Sequence, residues 1–225
     1  MRGQLTVYLS KFLLGLCYTC RHYTNTFTRV IAMKEKEIEI FYPESPADWD
    51  KWLKKNHLSK QSVWLVCYNK KSGKKSITWT ESVEVALCYG WIDSKKIKID
   101  QERTHQFFSK RKANGIWSKI NKVKVAELIE KGLMTEAGHQ SIAIAKENGS
   151  WTILDSVEEL AVPEDLEAGL KNNSVASEFF EGLSKSAKKA MLQWLVLAKR
   201  PETRQQRVAE IVECAGQKLK PKHLR

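Results

Sequence analysis

The first clear pattern of apolar and polar positions follows a Ser-Pro pair at residues 45–46. Trp49, Trp52 and Leu53 lie at positions i, i+3 and i+4, which places them on one face of a helix. Serine is favoured as an N-cap and proline at the first helical position, so we predict a helix over residues 48–58.

Strand patterns surround a second predicted helix. Residues 62–68 alternate between apolar and polar positions and are rich in valine and tryptophan, as is typical of a strand. Residues 91–99 and 104–110 are also typical of extended segments, and we expect them to pair antiparallel. Between residues 68 and 91, the pattern predicts a short strand at residues 77–79 and a helix over residues 80–89 that ends at a glycine.

The remainder of the chain is helical in pattern. Helices are predicted over residues 123–132, 136–146, 164–170, 176–183, 186–199 and 201–215, with a connecting stretch at 150–163. The expected fold class is therefore α+β: an N-terminal mixed region with a small antiparallel sheet and helices, followed by an all-helical C-terminal region. We expect the α+β region at residues 33–155, the helical region at 156–220 and a basic tail at 221–225.

The first 32 residues differ from the rest of the chain. They contain four basic residues and no acidic residue. Their longest apolar run, Phe12 to Cys17, is shorter than the roughly 7–15 residues that a signal peptide needs. We interpret residues 1–32 as a non-native or disordered extension from a start upstream of Met33. An export or targeting segment and an ordered part of the fold are the alternatives.

Composition and charge narrow the class of protein. The chain has 225 residues, of which 42% are hydrophobic, and it has no stretch of about 18 apolar residues; these features exclude a disordered chain and an integral membrane protein. The net charge is +12, and residues 94–124 hold ten basic residues against two acidic ones, a net +8. Such a segment is typical of a solvated surface, of an anion site or of a nucleic-acid interface.

No known catalytic or cofactor-binding motif is present. The sequence lacks H-E-x-x-H, G-x-S-x-G, a P-loop and G-x-G-x-x-G, so we expect no cofactor. Cys17 and Cys20 form one C-x-x-C pair, but a zinc site needs a second pair and the other three cysteines are far apart. We therefore expect no metal and reduced thiols, which favours a cytoplasmic location. One enzymatic alternative stays open, in which Asp93 acts with His105 or Ser118.

Several motifs resemble the YdeI/OmpD-associated family, also called the bacteriocin-protection family. The resemblance extends over residues 40–220 and is most specific at residues 81–93 and 117–121. The sequence departs from the family's pattern at Phe108-Ser109-Lys110-Arg111, where aromatic-Thr-Pro-Arg is expected. The resemblance implies an α+β region followed by a helical region, a protective role against bacteriocins or antimicrobial peptides, and no defined enzymatic activity. The family label also implies an envelope or periplasmic location, as an alternative to the cytoplasm.

The family motifs and the basic segment coincide, which leads to a functional hypothesis. We expect a non-enzymatic binding or stress-protection module with a basic, Trp-lined surface for a small anion. The candidate ligand-binding residues are Trp91, Asp93, Lys95, Arg103, Phe107, Arg111, Trp117, Ser118 and Asn121.

Each candidate has an expected role. Arg111 would donate to the anion, Trp91 and Trp117 would form apolar walls, and Asp93 would orient the cations. Asn121 is also a candidate N-cap of the helix that follows it. A small anionic ligand or a protein is the expected partner, a nucleic acid is the less favoured one, and the oligomeric state is left open.

Overall fold

The computed structural model describes residues 38–225, and the expectations for residues 1–32 lie outside this part of the chain. The described strands are β1 (Ile40–Phe41), β2 (Ser62–Tyr68), β3 (Trp91–Lys98) and β4 (Arg103–Lys110). The described helices are α1 (Pro46–Asn56), α2 (Trp79–Cys88), α3 (Lys119–Glu130), α4 (Glu136–Glu147), α5 (Asp155–Glu158), α6 (Glu164–Lys171), α7 (Ser174–Glu181), α8 (Lys185–Val196) and α9 (Pro201–Gly216). The α+β class is confirmed, with the sheet in the first half and mostly helices in the second.

The four described strands form one sheet in the order β1-β2-β4-β3. The predicted antiparallel pairing of β3 with β4 is confirmed, and β4 also pairs antiparallel with β2. The short strand β1, which was not predicted, lies parallel to β2, so the sheet is mixed rather than purely antiparallel. The register shifts between Asp93 and Lys96, where β3 carries one residue more than β4.

The predicted strand at residues 77–79 is wrong. Trp79 is instead the first residue of α2, because Thr78 and Glu81 form a capping box. The Thr78 side chain accepts from the Glu81 backbone N–H, and the Glu81 carboxylate accepts from the Thr78 N–H at 2.9 Å. These two hydrogen bonds satisfy backbone donors at the start of the helix, which favours helix over strand.

One face of the sheet carries the core of the α+β region. Leu65 of β2, Phe108 of β4 and Trp91 of β3 are fully buried there, together with Trp49 of α1. The Trp49 indole Nε1 donates to the Ser82 carbonyl at 3.0 Å, so α1 is also fixed to α2 by a buried hydrogen bond. The opposite face, which we call the outer face, carries the alternate strand residues.

The helical region has a core of its own. Leu166, Leu192, Leu195 and Ile211, from α6, α8 and α9, are buried in it. The connecting stretch predicted at residues 150–163 contains the short helix α5. The expected boundary between the regions at residue 155 stays a prediction.

Candidate functional site

Arg111 follows β4 and begins a loop that folds back on it. Its backbone N–H donates to the Gly90 carbonyl at 2.9 Å, and its guanidinium Nη1 donates to the Ile116 carbonyl at 3.0 Å. The guanidinium carbon lies 3.6 Å from the centre of the Trp117 ring, which is almost fully buried. The stacking and the two hydrogen bonds fix the position and the plane of this cation.

Three buried donors in this part of the molecule have no protein acceptor. Among the described residues, the buried side-chain nitrogen and oxygen atoms without a hydrogen-bond partner are Trp91 Nε1, Arg111 Nε and Arg111 Nη2. A buried donor without an acceptor costs about 1–3 kcal/mol, and more when it is charged, so such groups are rare in folded proteins. Their occurrence together marks a place where an acceptor would be bound favourably.

Trp91 and Arg111 line one cavity of about 310 Å³. It lies between the end of α1, the residues around Gly90, the start of the loop after β4, and α4. The other lining residues are His57, Leu58, Tyr89, Lys110, Lys112, Ala137, Gln140, Ser141 and Ile144, with Ala113 in the loop. The walls therefore combine apolar side chains with cations.

Burial controls the ionisation of Arg111. It lowers the pKa of the guanidinium to about 10, while the nearby charge of Asp93 acts in the opposite direction. Arg111 therefore stays protonated at neutral pH. The Asp93 carboxylate makes no ion pair with it among the described contacts; instead it accepts from Trp79 Nε1 at 2.9 Å and from Gln106 Nε2 at 3.1 Å.

The structure brings together three of the nine predicted site residues: Trp91, Arg111 and Trp117. Lys95 and Phe107 lie elsewhere, on the outer face of the sheet, where the Lys95 ammonium is 5.4 Å from the centre of the Phe107 ring. Adjacent strand residues point to opposite faces, so Phe107 must face outward because Phe108 faces the core. Arg103 is at the β3–β4 turn, where its Nε donates to Asp100 at 2.6 Å.

Ser118 and Asn121 form a helix-capping hydrogen bond and are not among the residues that line the cavity. Ser118 is the N-cap of α3, and its Oγ accepts from the Asn121 N–H at 3.3 Å. The expectation that Asn121 caps the helix is therefore wrong, because the stronger cap three residues earlier starts the helix at Lys119. No described hydrogen bond connects Asp93 with His105 or Ser118, and His105 lies beside Trp64 on the outer face.

Helix α4 contributes a wall of the cavity that contains none of the predicted site residues. Ala137, Gln140, Ser141 and Ile144 line the cavity from this helix. A Cβ on Gly138 would lie 2.4 Å from the Cys88 carbonyl oxygen, so α4 approaches the end of α2 very closely. The small residues Gly138, Ser141 and Ala145, spaced three and four apart on one helix face, were the available signal for this close approach.

Other kinds of site are not seen in residues 38–225. In that range no group of three or more His, Cys, Asp or Glu side chains is placed to hold a metal ion. None of the helices described there combines the length and apolar character needed to cross a bilayer. Cys67, Cys88 and Cys214 are unpaired thiols, and burial raises the pKa of Cys88 to about 11.

Comparison with known families separates the two regions. Residues 159–218 match the family described as Bacteriocin-protection, YdeI or OmpD-Associated. The suspected family is therefore confirmed for this part of the chain. This YdeI/OmpD-associated region coincides with the helical part, whereas residues 41–141 match a different family, described as a domain of unknown function (DUF8412). Searches of curated proteins and of solved structures each gave no match.

The two matches change the meaning of the most specific motifs. Residues 81–93 and 117–121 lie outside the YdeI/OmpD-associated match, and the cavity residues Trp91 and Arg111 lie within the domain of unknown function. The family label therefore describes the part of the chain that does not contain the cavity.

Proposed function

We propose that the α+β region is a non-enzymatic binding module for a small anion, and that the cavity lined by Arg111 and Trp91 is its binding site. One observation carries this proposal: all three buried unpartnered atoms among the described residues are donors, and they belong to two residues that line the same cavity. A site that offers donors and a positive charge favours an anion.

The surroundings of Arg111 support strong binding. Its Nε and Nη2 atoms are closed off from solvent, so an ion pair formed there is weakly screened. The same closure means that an anion reaches these atoms only when side chains around the cavity move. We therefore expect association to be slower than at an open site, because it requires a conformational change.

Thermal unfolding of the full chain in the presence of small anions tests this function. Acetate, benzoate, phosphate and sulfate are compared, with sodium chloride at equal ionic strength as the reference. A ligand at about 100 times its Kd should stabilise the protein by roughly 2.7 kcal/mol. Arg111→Met should remove this shift, and Arg204→Met should keep it. If no anion stabilises the wild-type protein, the proposed function is wrong.

The protective role in the family description is part of the same proposal. We expect anion binding to support resistance, together with the helical region, which is the part of the chain that matches the family. A host strain that lacks its own copy would be exposed to a bacteriocin while it produces wild-type or Arg111→Met protein in equal amounts. Equal resistance in the two strains would separate the protective role from the cavity. The cytoplasmic location stays a prediction that fractionation of the same strains would test.

A second candidate function, binding of single-stranded nucleic acid, has its own observation. On the outer face, the Lys95 ammonium lies 5.2 Å from the Trp64 ring centre and 5.4 Å from that of Phe107. By register, the strand positions that share this face include Arg103 and His105 but no Asp or Glu. Aromatic rings with nearby cations suit stacked bases and phosphates.

Titration with a labelled oligothymidylate at several salt concentrations tests this second candidate. Binding should weaken steeply with salt, and Trp64→Ala should weaken it at every salt concentration. Lys119→Ala, a change of an exposed base outside the sheet, is the matched control. Lack of binding at low salt would remove the candidate, as would equal losses in the two variants.

A further inference from the structure

The edge of the Arg111 guanidinium identifies the chemical class of the anion. We propose that the ligand is a carboxylate with a small apolar body, held side-on by Arg111 Nε and Nη2; this inference rests on the proposed anion-binding function. The Nε–H and the outer Nη2–H point in the same direction from one edge of the guanidinium plane. Their spacing matches the two oxygens of a carboxylate.

The same protein shows this geometry with a carboxylate in place. Arg204 of α9 donates from Nε to Asp165 Oδ2 at 2.6 Å and from Nη2 to Oδ1 at 2.9 Å. In Arg111 these are the two nitrogens without a protein acceptor, whereas Nη1, on the other edge, donates to Ile116. The edge that holds Asp165 in one place is therefore the edge that Arg111 keeps for a ligand.

The charges around the cavity favour a single negative charge. The Lys110 ammonium donates to the Leu58 carbonyl at 2.7 Å, and Lys112 is exposed, so Arg111 is the buried cation of the site. A carboxylate neutralises this one charge. A phosphate dianion would leave a second negative charge in a poorly solvated place, with Asp93 nearby as a further negative group.

The remaining walls suit an apolar body. Tyr89 and Trp91 are buried, and Ile144 and Leu58 contribute aliphatic surface to the same cavity. Burial of such a body against these side chains adds about 25 cal/mol per Å² of apolar surface. The Trp91 indole N–H is a third donor without a protein acceptor, on a residue that lines the same cavity.

Calorimetric titration of the full chain with three matched probes tests whether the site prefers a carboxylate. The probes are benzoate, its neutral analogue benzamide, and phenyl phosphate. Benzoate should bind, and benzamide should bind at least tenfold more weakly, because it lacks the charge. Arg111→Lys keeps a cation but loses the two parallel N–H donors, so it should weaken the affinity for benzoate roughly 10- to 100-fold. Trp91→Phe should weaken benzoate by a smaller factor.

Nuclear magnetic resonance provides a readout that does not depend on mutation. The Arg111 Nε–H and Trp91 Nε1–H resonances should shift on addition of benzoate and stay in place with benzamide, whereas the Arg204 Nε–H resonance should stay in place with both. This readout also covers the case in which Arg111→Lys fails to fold.

The outcomes separate this inference from the function on which it rests. Binding of phenyl phosphate in preference to benzoate would contradict the proposal that the ligand is a carboxylate, but it would agree with the proposed anion site. Full benzoate affinity in a folded Arg111→Lys protein would contradict the proposed pair of hydrogen bonds from Arg111 Nε and Nη2. Absence of binding by every anion would overturn both proposals.

Discussion

Arg111 and Arg204 present the same pair of nitrogens in two different settings. In the helical region, Arg204 is partly exposed and its Nε and Nη2 hold Asp165. In the α+β region, Arg111 is stacked on Trp117, and the corresponding nitrogens are buried without a protein acceptor. One arginine completes a contact within the fold, and the other has two buried donors without an acceptor beside a cavity.

The buried donors without an acceptor occur in one of the two regions. Two cations of the helical region have partners on neighbouring helices: Lys189 pairs with Glu158 at 2.6 Å, and Arg207 donates to the Trp194 carbonyl. The three unpartnered donors all lie in the α+β region. The family label and the incomplete polar site therefore belong to different parts of the chain, and function is better sought where the hydrogen bonds are incomplete.

The largest expected effect concerns the close packing that builds the cavity. Gly138→Ala would place a Cβ 2.4 Å from the Cys88 carbonyl oxygen and 2.6 Å from Met134 Cε. Because backbone must move to relieve the first contact, we expect a loss of about 3 kcal/mol in the free energy of unfolding. Chemical denaturation measures it.

The helical region offers the matched change. In Gly169→Ala the new Cβ would lie 2.9 Å from Val212 Cγ2, a side-chain atom that can shift. Alanine also improves helix propensity by roughly 1 kcal/mol relative to glycine, so we expect a net effect near zero. If the two variants lose the same stability, the packing at the cavity is no tighter than that in the helical region.

Replacing each arginine with methionine should change stability in different directions. Arg111→Met loses one hydrogen bond and a ring contact, but it also removes a buried charge with two unmade hydrogen bonds; we expect an unchanged or higher thermal midpoint. Arg204→Met breaks a bidentate pair at a partly exposed position and should cost about 1 kcal/mol. A larger loss for Arg111→Met would show that Arg111 mainly supports the fold.

Local patterns were sufficient to predict most of the fold. The helices that begin at Pro46 and Pro201 and the antiparallel β3–β4 pair are confirmed, because capping and alternation act over a few residues. The two-residue strand β1 was missed because its pairing with β2 is long-range and so short a segment carries no periodicity. At Thr78 the capping box, also a local signal, was overlooked.

The candidate site was predicted only in part. Arg111 lies beside Gly90 and Trp91 because it continues the antiparallel β3–β4 pairing. Trp117 reaches Arg111 because the loop after β4 folds back, a contact that sequence spacing does not encode. Lys95 and Phe107 were misplaced because the bulge in β3 and the alternation of β4 decide which face each side chain takes. The wall from α4 comes from a helix about 25 residues beyond Arg111, so its position depends on tertiary packing.

Two serine caps provide a smaller test of which predicted residues belong to the site. Ser118 caps α3 beside the Arg111 loop, and Ser184 caps α8 in the helical region. Each Ser→Ala change should cost about 1 kcal/mol, because each removes one acceptor for a backbone N–H. Binding of benzoate should be the same in both variants; a loss confined to Ser118→Ala would return this residue to the site.

The smallest effect is the pH dependence of stability, and it separates the regions by pH. Burial and the nearby charge of Arg103 lower the pKa of His105 below its usual value of about 6.5. The unfolded chain therefore takes up a proton at this histidine first, so its contribution to stability is complete above about pH 6.5 and falls as the pH decreases below that. His105→Phe should flatten this part of the denaturation profile between pH 7 and 5.

In the helical region, the Arg204 hydrogen bond lowers the pKa of Asp165 below the usual carboxyl value near 3.9, so Arg204→Met should flatten the profile only in more acidic solution. If Arg204→Met changes the slope between pH 7 and 5, or His105→Phe leaves it unchanged, the assignment of each pH range to one region is wrong.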